Sequence, residues 1–234
     1  MKVVILAGGL GTRLAEYTHR IPKPMVEIGG IPILVHIMEF YYSFGHNDFY
    51  IALGYKGEMI KDYFKNYKRS DWHINLIDTG QNTLTGGRLK RLEEFLTQET
   101  FFLTYGDGLS NVNLDSLLKF HSNSNKLITM SAVRPPARFG ELEFSGDEVI
   151  GFDEKPQMQR GWINGGFFAV EPGFIKYIDG DNTMLEREPL SMALNNSQMA
   201  AYKHEGPWQC MDTKREHEKL ISIWESGSAF WKMK

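Results

Sequence analysis

Apolar residues fall in two rhythms along this chain. Short runs without gaps alternate with stretches in which apolar positions recur every third or fourth residue. Val3 to Ala7 is a run rich in β-branched residues, and Gly8-Gly9 directly behind it marks a buried strand. Asp48 to Leu53, Trp72 to Ile77, Phe101 to Tyr105 and Leu127 to Val133 read as further strands. Between them the helical rhythm appears. Pro32 opens I-P-I-L-V-H-I-M-E-F-Y-Y-S-F-G, with Gly45 just past its end, which is helix punctuation at both termini. Glu58 to Tyr67 reads as a short helix, R-L-K-R-L-E-E-F-L after Thr85-Gly86-Gly87 as a basic one, and Asn113 to His121 as another.

The second half changes character. Glu141 to Phe144 and Glu148 to Asp153 flank S-G-D and predict a hairpin. Ile163 to Val170 is a strand interrupted early by Gly165-Gly166, and Met199 to His204 is another. Met184 to Asn195 has helical spacing disturbed by Pro189. Thr213-Lys214-Arg215-Glu216 is a capping box that opens a last helix to about Ser226. There is no internal repeat and no linker. Strands and helices alternating first in parallel-type order, then with hairpins, predict one α/β sandwich over a mixed sheet. In such sheets ligands bind at the carboxyl ends of the strands, which is where Gly8 and Asp107 fall.

Composition narrows the function. With 234 residues, 42% hydrophobic, the chain has enough apolar material for one large domain with a real core. A formal net charge of -3 argues against broad capture of nucleic acid or anionic membrane. The single cysteine, Cys210, rules out an internal disulfide and fits a reducing compartment. The apolar start is too short for a secretion signal, and no apolar run approaches the roughly 20 residues of a membrane span. The expectation is a cytoplasmic protein.

The chemistry concentrates behind the first strand. Gly8, Gly9 and Gly11 let the backbone turn freely and let a ligand approach without a Cβ in the way. Successive N–H groups turned toward one point make an anion site. Thr12 adds a hydroxyl, Arg13 a rigid cationic fork, and Lys23 follows closely. The stretch is neither G-x-G-x-x-G nor G-x-x-x-x-G-K-[ST]. It reads as a nucleotide-phosphate cradle, against the plainer alternative of a tight turn.

Asp107 lies between glycines at the end of the fourth strand. Asp-Gly is a common turn pair, but a carboxylate at that edge is also placed to hold Mg²⁺, which favours one or two carboxylates together with phosphate oxygens and water. Asp212 is the candidate second carboxylate, since Thr213 already caps the helix; its other reading is a helix-entry residue. Lys155, beside Glu154 in E-K-P, is either a solvated loop lysine or, with Asn164-Gly165-Gly166 soon after, part of a surface for a polyhydroxyl ligand. Arg138-Phe139-Gly140 likewise sets a glycine beside an aromatic. Asp78-Thr79-Gly80 has no second copy, so an aspartic protease is excluded. No zinc-ligand spacing and no G-x-S-x-G elbow is present.

The ordered set of motifs resembles one family. L-A-G-G-L-G-T-R-L with P-K-P-M-V-E-I-G-G is similar to the signature of the sugar-1-phosphate nucleotidylyltransferases. The likeness continues through G-Y-K-G, D-T-G, T-G-G-R-L-K-R, Y-G-D-G, R-F-G, E-K-P, I-N-G-G-F-F, E-x-E-P-L and M-D-T, nearly the whole chain. It implies a Rossmann-like three-layer α/β/α sandwich with a mixed, mainly parallel sheet, of the nucleotide-diphospho-sugar transferase type. It implies a single domain over 1–234, with a nucleotide-binding half (1–125) and a sugar-phosphate half (126–234). The activity implied is Mg²⁺-dependent transfer of a cytidylyl group from CTP to a sugar 1-phosphate.

The resemblance also implies roles. Leu6, Ala7, Gly8, Gly9, Leu10, Gly11, Thr12 and Arg13 hold the nucleotide, with Lys23 on phosphate and Thr83 and Arg88 at the cytidine end. Asp107 and Asp212 match the metal carboxylates. Glu154, Lys155, Asn164 and Gly165 match the sugar-phosphate side, and Gly140 closes on the sugar. Arg88 only donates hydrogen bonds, which suits O2 and N3 of cytosine. The basic run Arg88 to Arg91 is then a helix face near the nucleotide, not a nucleic-acid patch. One departure stands out: between K-N-Y and I-D-T-G the family carries a longer segment, which bears on any oligomer or nucleotide contact made there. Phe230 and Trp231, as exposed tail aromatics, predict self-association into a homo-oligomer.

Overall fold

A computed structural model describes residues 1–67, 69–135, 140–153 and 161–232. Seven strands form the central sheet: β1 (Lys2–Leu6), β2 (Asp48–Leu53), β3 (His73–Asp78), β4 (Phe101–Tyr105), β5 (Ile128–Val133), β6 (Ile163–Val170) and β7 (Met199–His204). Their spatial order is β7-β5-β6-β4-β1-β2-β3. Neighbours run parallel except β6, which is antiparallel to both β4 and β5. The sheet is therefore mixed and mainly parallel, as its pattern implies.

Both faces of the sheet are covered, which is why the strands read as unbroken apolar runs. Successive side chains point to opposite faces. Val3 and Ile5 join one core, with α1 (Ile33–Tyr42), α2 (Gly57–Lys65), α4 (Leu114–Ser124) and α6 (Lys214–Glu225). Val4 and Leu6 join the other, with α3 (Thr85–Lys90) and α5 (Glu188–Asn195). The layers are thus helix, sheet, helix. The chain leaves β1 for β2 on one side, while β4 lies on the other. That switch in strand order opens a crevice at the carboxyl ends of β1 and β4.

Two expectations are corrected. Pro189 does not disturb a helix from Met184. It lies in the first turn of α5, and the residues before it are turn. A proline has no N–H to give and is tolerated only there. The tail aromatics do not stand exposed as a pair either. Trp231 is 2% exposed and stacks on Trp224. Its indole donates to His36 Nδ1 at 3.2 Å. The tail closes the chain's own core, so it gives no argument for self-association.

His36 Nε2 lies 2.9 Å from the Ile28 carbonyl. A carbonyl only accepts and an indole N–H only donates, so the ring is held neutral with its proton on Nε2. Burial lowers the pKa of His36, and does the same at His46, His121 and His204. The unfolded chain takes up protons on these rings near pH 6.5 and the folded chain only at lower pH, so acid favours unfolding. The urea midpoint is expected to fall between pH 7 and pH 5.5, well above the range in which carboxylates titrate. An unchanged midpoint over that window would contradict it.

Candidate active site

Four segments converge on the crevice. The loop after β1 is shaped by Gly11, whose φ of +63° is left-handed. The single turn Thr12–Leu14 follows, anchored by buried Leu14, and leaves Arg13 with its side chain 73% exposed. Pro22, extended, leads into the turn Lys23–Met25, and buried Pro24 fixes that turn. Lys23 therefore projects from a rigid base.

Asp107 and Asp212 meet through a small two-stranded ladder. Gly108–Ser110 pairs antiparallel with Trp208–Cys210, with Cys210 opposite Gly108. The Met211 N–H donates to the Asp107 carbonyl at 2.9 Å. Asp212 then enters α6 through the capping box: Glu216 accepts from the Asp212 and Thr213 amides at 2.8 and 2.9 Å. The backbone of both aspartates is thus pinned.

Their side chains share one cation. Lys23 Nζ lies 2.5 Å from Asp107 Oδ2 and 2.6 Å from Asp212 Oδ1. Arg13 reaches the other oxygen of Asp212 at 2.9 Å. Burial works against the Lys23 charge, but Asp107 and Asp212 outweigh it and its pKa rises. Burial likewise works against ionisation of Asp212, but Lys23 and then Arg13 outweigh it and its pKa falls. Lys23 and Asp212 are both charged at neutral pH.

Two carboxylate oxygens converging on one ammonium can converge on a metal ion. A donor set of carboxylate oxygens suits a hard cation such as Mg²⁺. Cys210 stands close by, its Sγ 3.8 Å from Asp212 Oδ2. Burial foremost, with Asp212 and other carboxylates adding, pushes its thiol up to about 12. Cys210, Asp212 and Glu216 also come within reach of one another, but the Glu216 carboxylate is engaged by the Asp212 and Thr213 amides.

A cavity of about 500 Å³ lies beneath. Every residue from Leu6 through Arg13 lines it, as do Lys23, Thr83, Arg88, Asp107 and Asp212. Asn164, Gly165 and Gly140 are not among its lining residues. Asn164 stands at its edge, Nδ2 3.5 Å from the Tyr105 hydroxyl, and Gly165 accepts from the Trp208 indole at 2.8 Å. Glu154, Lys155, Arg138 and Phe139 lie outside the described residues.

Arg88 lines the cavity but is engaged by the chain's own oxygens. It is 4% exposed. Its terminal nitrogens donate to the carbonyls of Leu53, Gly80 and Gly8 at 2.8–2.9 Å, to Thr79 Oγ1 at 2.8 Å and to the Gln81 carbonyl at 3.3 Å. The guanidinium ties together the ends of β1, β2 and β3 instead of standing free for a base. Gly8 is small partly for this reason: a Cβ there would lie 2.3 Å from the Arg88 guanidinium.

Sequence reasoning left Tyr105 and Glu186 without a role. Tyr105 donates to Glu186 Oε1 at 2.6 Å, and Thr85 donates to Oε2 at 2.7 Å. Both line the cavity. They sit inside Y-G-D-G and E-x-E-P-L, so the motifs carried the signal, but only the fold brings them together.

A family model described as nucleotidyl transferase matches residues 2–215. This chain belongs to the nucleotidyl transferase family. Among relatives of this transferase, the glucose-1-phosphate cytidylyltransferase of Salmonella typhi is 45% identical over 254 aligned positions, covering 99% of each chain. The probable glucose-1-phosphate cytidylyltransferase of Bacillus subtilis is 39% identical, covering all of both. The solved structure of HddC from Yersinia pseudotuberculosis, in complex with GMP-PN, superimposes with a TM-score of 0.74 at 25% identity, over 95% of this chain and 99% of that one. The alignments to both curated relatives span more positions than this transferase has residues. In the transferase the connection from α2 to β3 is short. Arg69 stacks there on Tyr42 and Trp72, with ring centroids 4.5 and 4.4 Å away.

Proposed function

We propose that this nucleotidyl transferase moves a cytidylyl group from CTP to α-D-glucose 1-phosphate, releasing CDP-glucose and pyrophosphate. The whole-length identity to enzymes of that name supports the choice of substrates. The observation that carries the chemistry is the meeting of Arg13, Lys23, Asp107 and Asp212 at the mouth of the glycine loop.

An oxygen of the sugar phosphate attacks the α-phosphorus, and the bond to pyrophosphate breaks. The second pKa of a phosphate monoester is near ~6, so the nucleophile is already ionised and asks for no general base. The difficulty is bringing two anions together in line. Loop amides from Leu6 to Arg13 and the cations Arg13 and Lys23 hold the triphosphate. Asp107 and Asp212 would hold Mg²⁺, which supplies charge neutralisation and a template for in-line geometry. Lys155 and Glu154, with Asn164, Gly165 and Gly140, receive the sugar phosphate. A single cysteine and no need for a macromolecular partner suit a cytoplasmic site of action.

A sister reading keeps the mechanism and changes the nucleotide. It is favoured by the engagement of Arg88 with backbone oxygens, which leaves base choice to other groups. Pyrophosphate release, measured with Mg²⁺ over CTP, UTP, dTTP and GTP and over several sugar 1-phosphates, separates the two. CTP with glucose 1-phosphate is expected to give the highest kcat/KM; a higher value for another pair replaces the assignment.

A further inference from the structure

The two carboxylates suited to a divalent cation already hold a positive charge, and it belongs to the chain. We propose that Lys23 is an internal stand-in for the metal. Its ammonium occupies the cation position between Asp107 and Asp212 in the free chain. It gives that position up only to a metal that arrives with a nucleotide polyphosphate. The proposal rests on the reading of Asp107 and Asp212 as metal carboxylates.

The geometry is direct. Lys23 Nζ contacts one oxygen of each carboxylate, at 2.5 and 2.6 Å, and its side chain is only 12% exposed. Water does not dilute a contact so enclosed as it does a surface pair. Arg13 holds the remaining oxygen of Asp212. Two carboxylates thus face two cations, and the cluster is balanced. A bare divalent ion entering it would leave a surplus of positive charge beside an ammonium with nowhere to go. Mg²⁺ also gives up its water reluctantly, so it competes poorly with an ammonium already seated in direct contact.

A polyphosphate changes both terms. It brings negative charge with the metal and gives the ammonium new acceptors. Lys23 need not travel far to reach them. Its stem lies under the glycine loop, so close that a Cβ on Gly11 would come within 3.2 Å of Lys23 Cβ. Because the proline-flanked turn Lys23–Met25 fixes the backbone, the exchange needs only side-chain torsions. Metal and nucleotide then bind with positive coupling, and coupling between two ligands is reciprocal. The lysine keeps the carboxylates from collecting free metal, and it becomes a phosphate ligand once it is displaced.

The test uses the full chain and Mn²⁺ alone, with free Mn²⁺ followed by its electron paramagnetic resonance signal. Lys23→Ala and Lys23→Met are both made, with folding checked by circular dichroism, so that one unfolded variant does not end the experiment. Removing the lysine is expected to tighten Mn²⁺ binding about tenfold without nucleotide, within the usual range of coupling between sites. Adding CDP, which cannot react, is expected to tighten Mn²⁺ binding in the parent chain but far less in the lysine variants. Equal Mn²⁺ affinity in the parent and in both variants overturns the proposal. The carboxylate reading is tested separately, by adding Asp107→Asn and Asp212→Asn to the Lys23→Ala chain. If Mn²⁺ binding survives both, the metal lies elsewhere and that reading falls.

Discussion

Asp212→Asn is expected to lower kcat by on the order of a thousandfold, with a much smaller change in KM for glucose 1-phosphate. The substitution keeps the volume and the backbone contact with Glu216. It removes the charge that Lys23 and Arg13 both face, at 2.6 and 2.9 Å. Transition-state charge in phosphoryl-type transfer is stabilised by fixed charges and a bridging metal, and loss of one such group costs about a hundred- to a thousandfold or more. Asp107→Asn should fall in the same range, because its carboxylate shares the same ammonium. Steady-state pyrophosphate release with saturating CTP and Mg²⁺ measures both. An Asp212→Asn enzyme within tenfold of the parent would remove this carboxylate from the chemistry.

Arg88→Met is expected to lose about 2 kcal/mol of stability as well as most activity. Its guanidinium supplies donors to carbonyls from Gly8, Leu53 and Gly80. The Gly8 carbonyl keeps the Tyr55 N–H and the Leu53 carbonyl keeps Thr79, so the loss falls on the carbonyls of Gly80 and Gln81, and a part-buried carbonyl left without a donor costs about 1 kcal/mol. Burial pulls the pKa of Arg88 down, with Arg91 adding to the effect. No carboxylate is among its hydrogen-bond partners in the described residues, so carbonyl dipoles and a hydroxyl hold its charge. A side chain in this position positions the glycine loop from beneath. Urea unfolding checks the stability loss, and CTP against UTP turnover checks the competing role. Unchanged stability with a reversed base preference would make Arg88 a reader of the base and not a clamp.

Glycine placement illustrates how far local sequence reaches. Gly8-Gly9-x-Gly11 in front of an arginine is legible as an anion cradle, because backbone freedom and donor count follow from residue type alone. Yet Gly8 and Gly54 also make room for Arg88: a Cβ on either would lie 2.3 Å from a guanidinium nitrogen or carbon. That reason lies 80 and 34 residues further along the chain and has no local signature. The ladder joining Gly108–Ser110 to Trp208–Cys210 is similar. Three residues on each side give no periodicity to read, although the ladder brings Asp107 to Asp212.

The tail shows the converse error. Two adjacent aromatics after a helix look exposed when only local pattern is weighed. Trp231 is buried because His36, almost the whole chain away, offers an acceptor and Trp224 a stacking face. Pro189 is legible as a disturbance of helical spacing, but whether it breaks a helix or begins one depends on which neighbours pack behind it.

Strand and helix identity, the mixed α/β class and the glycine-rich, cation-flanked make-up of the first loop are determined by the sequence alone. Each follows from hydrophobic period, turn residues and side-chain charge, which act over a few positions. The pairing of Lys23 with Asp107 and Asp212, the engagement of Arg88 with three strand ends and the burial of the tail were decided only by the tertiary structure. These depend on distances between segments remote in sequence, and such distances are set by how the sheet orders its strands.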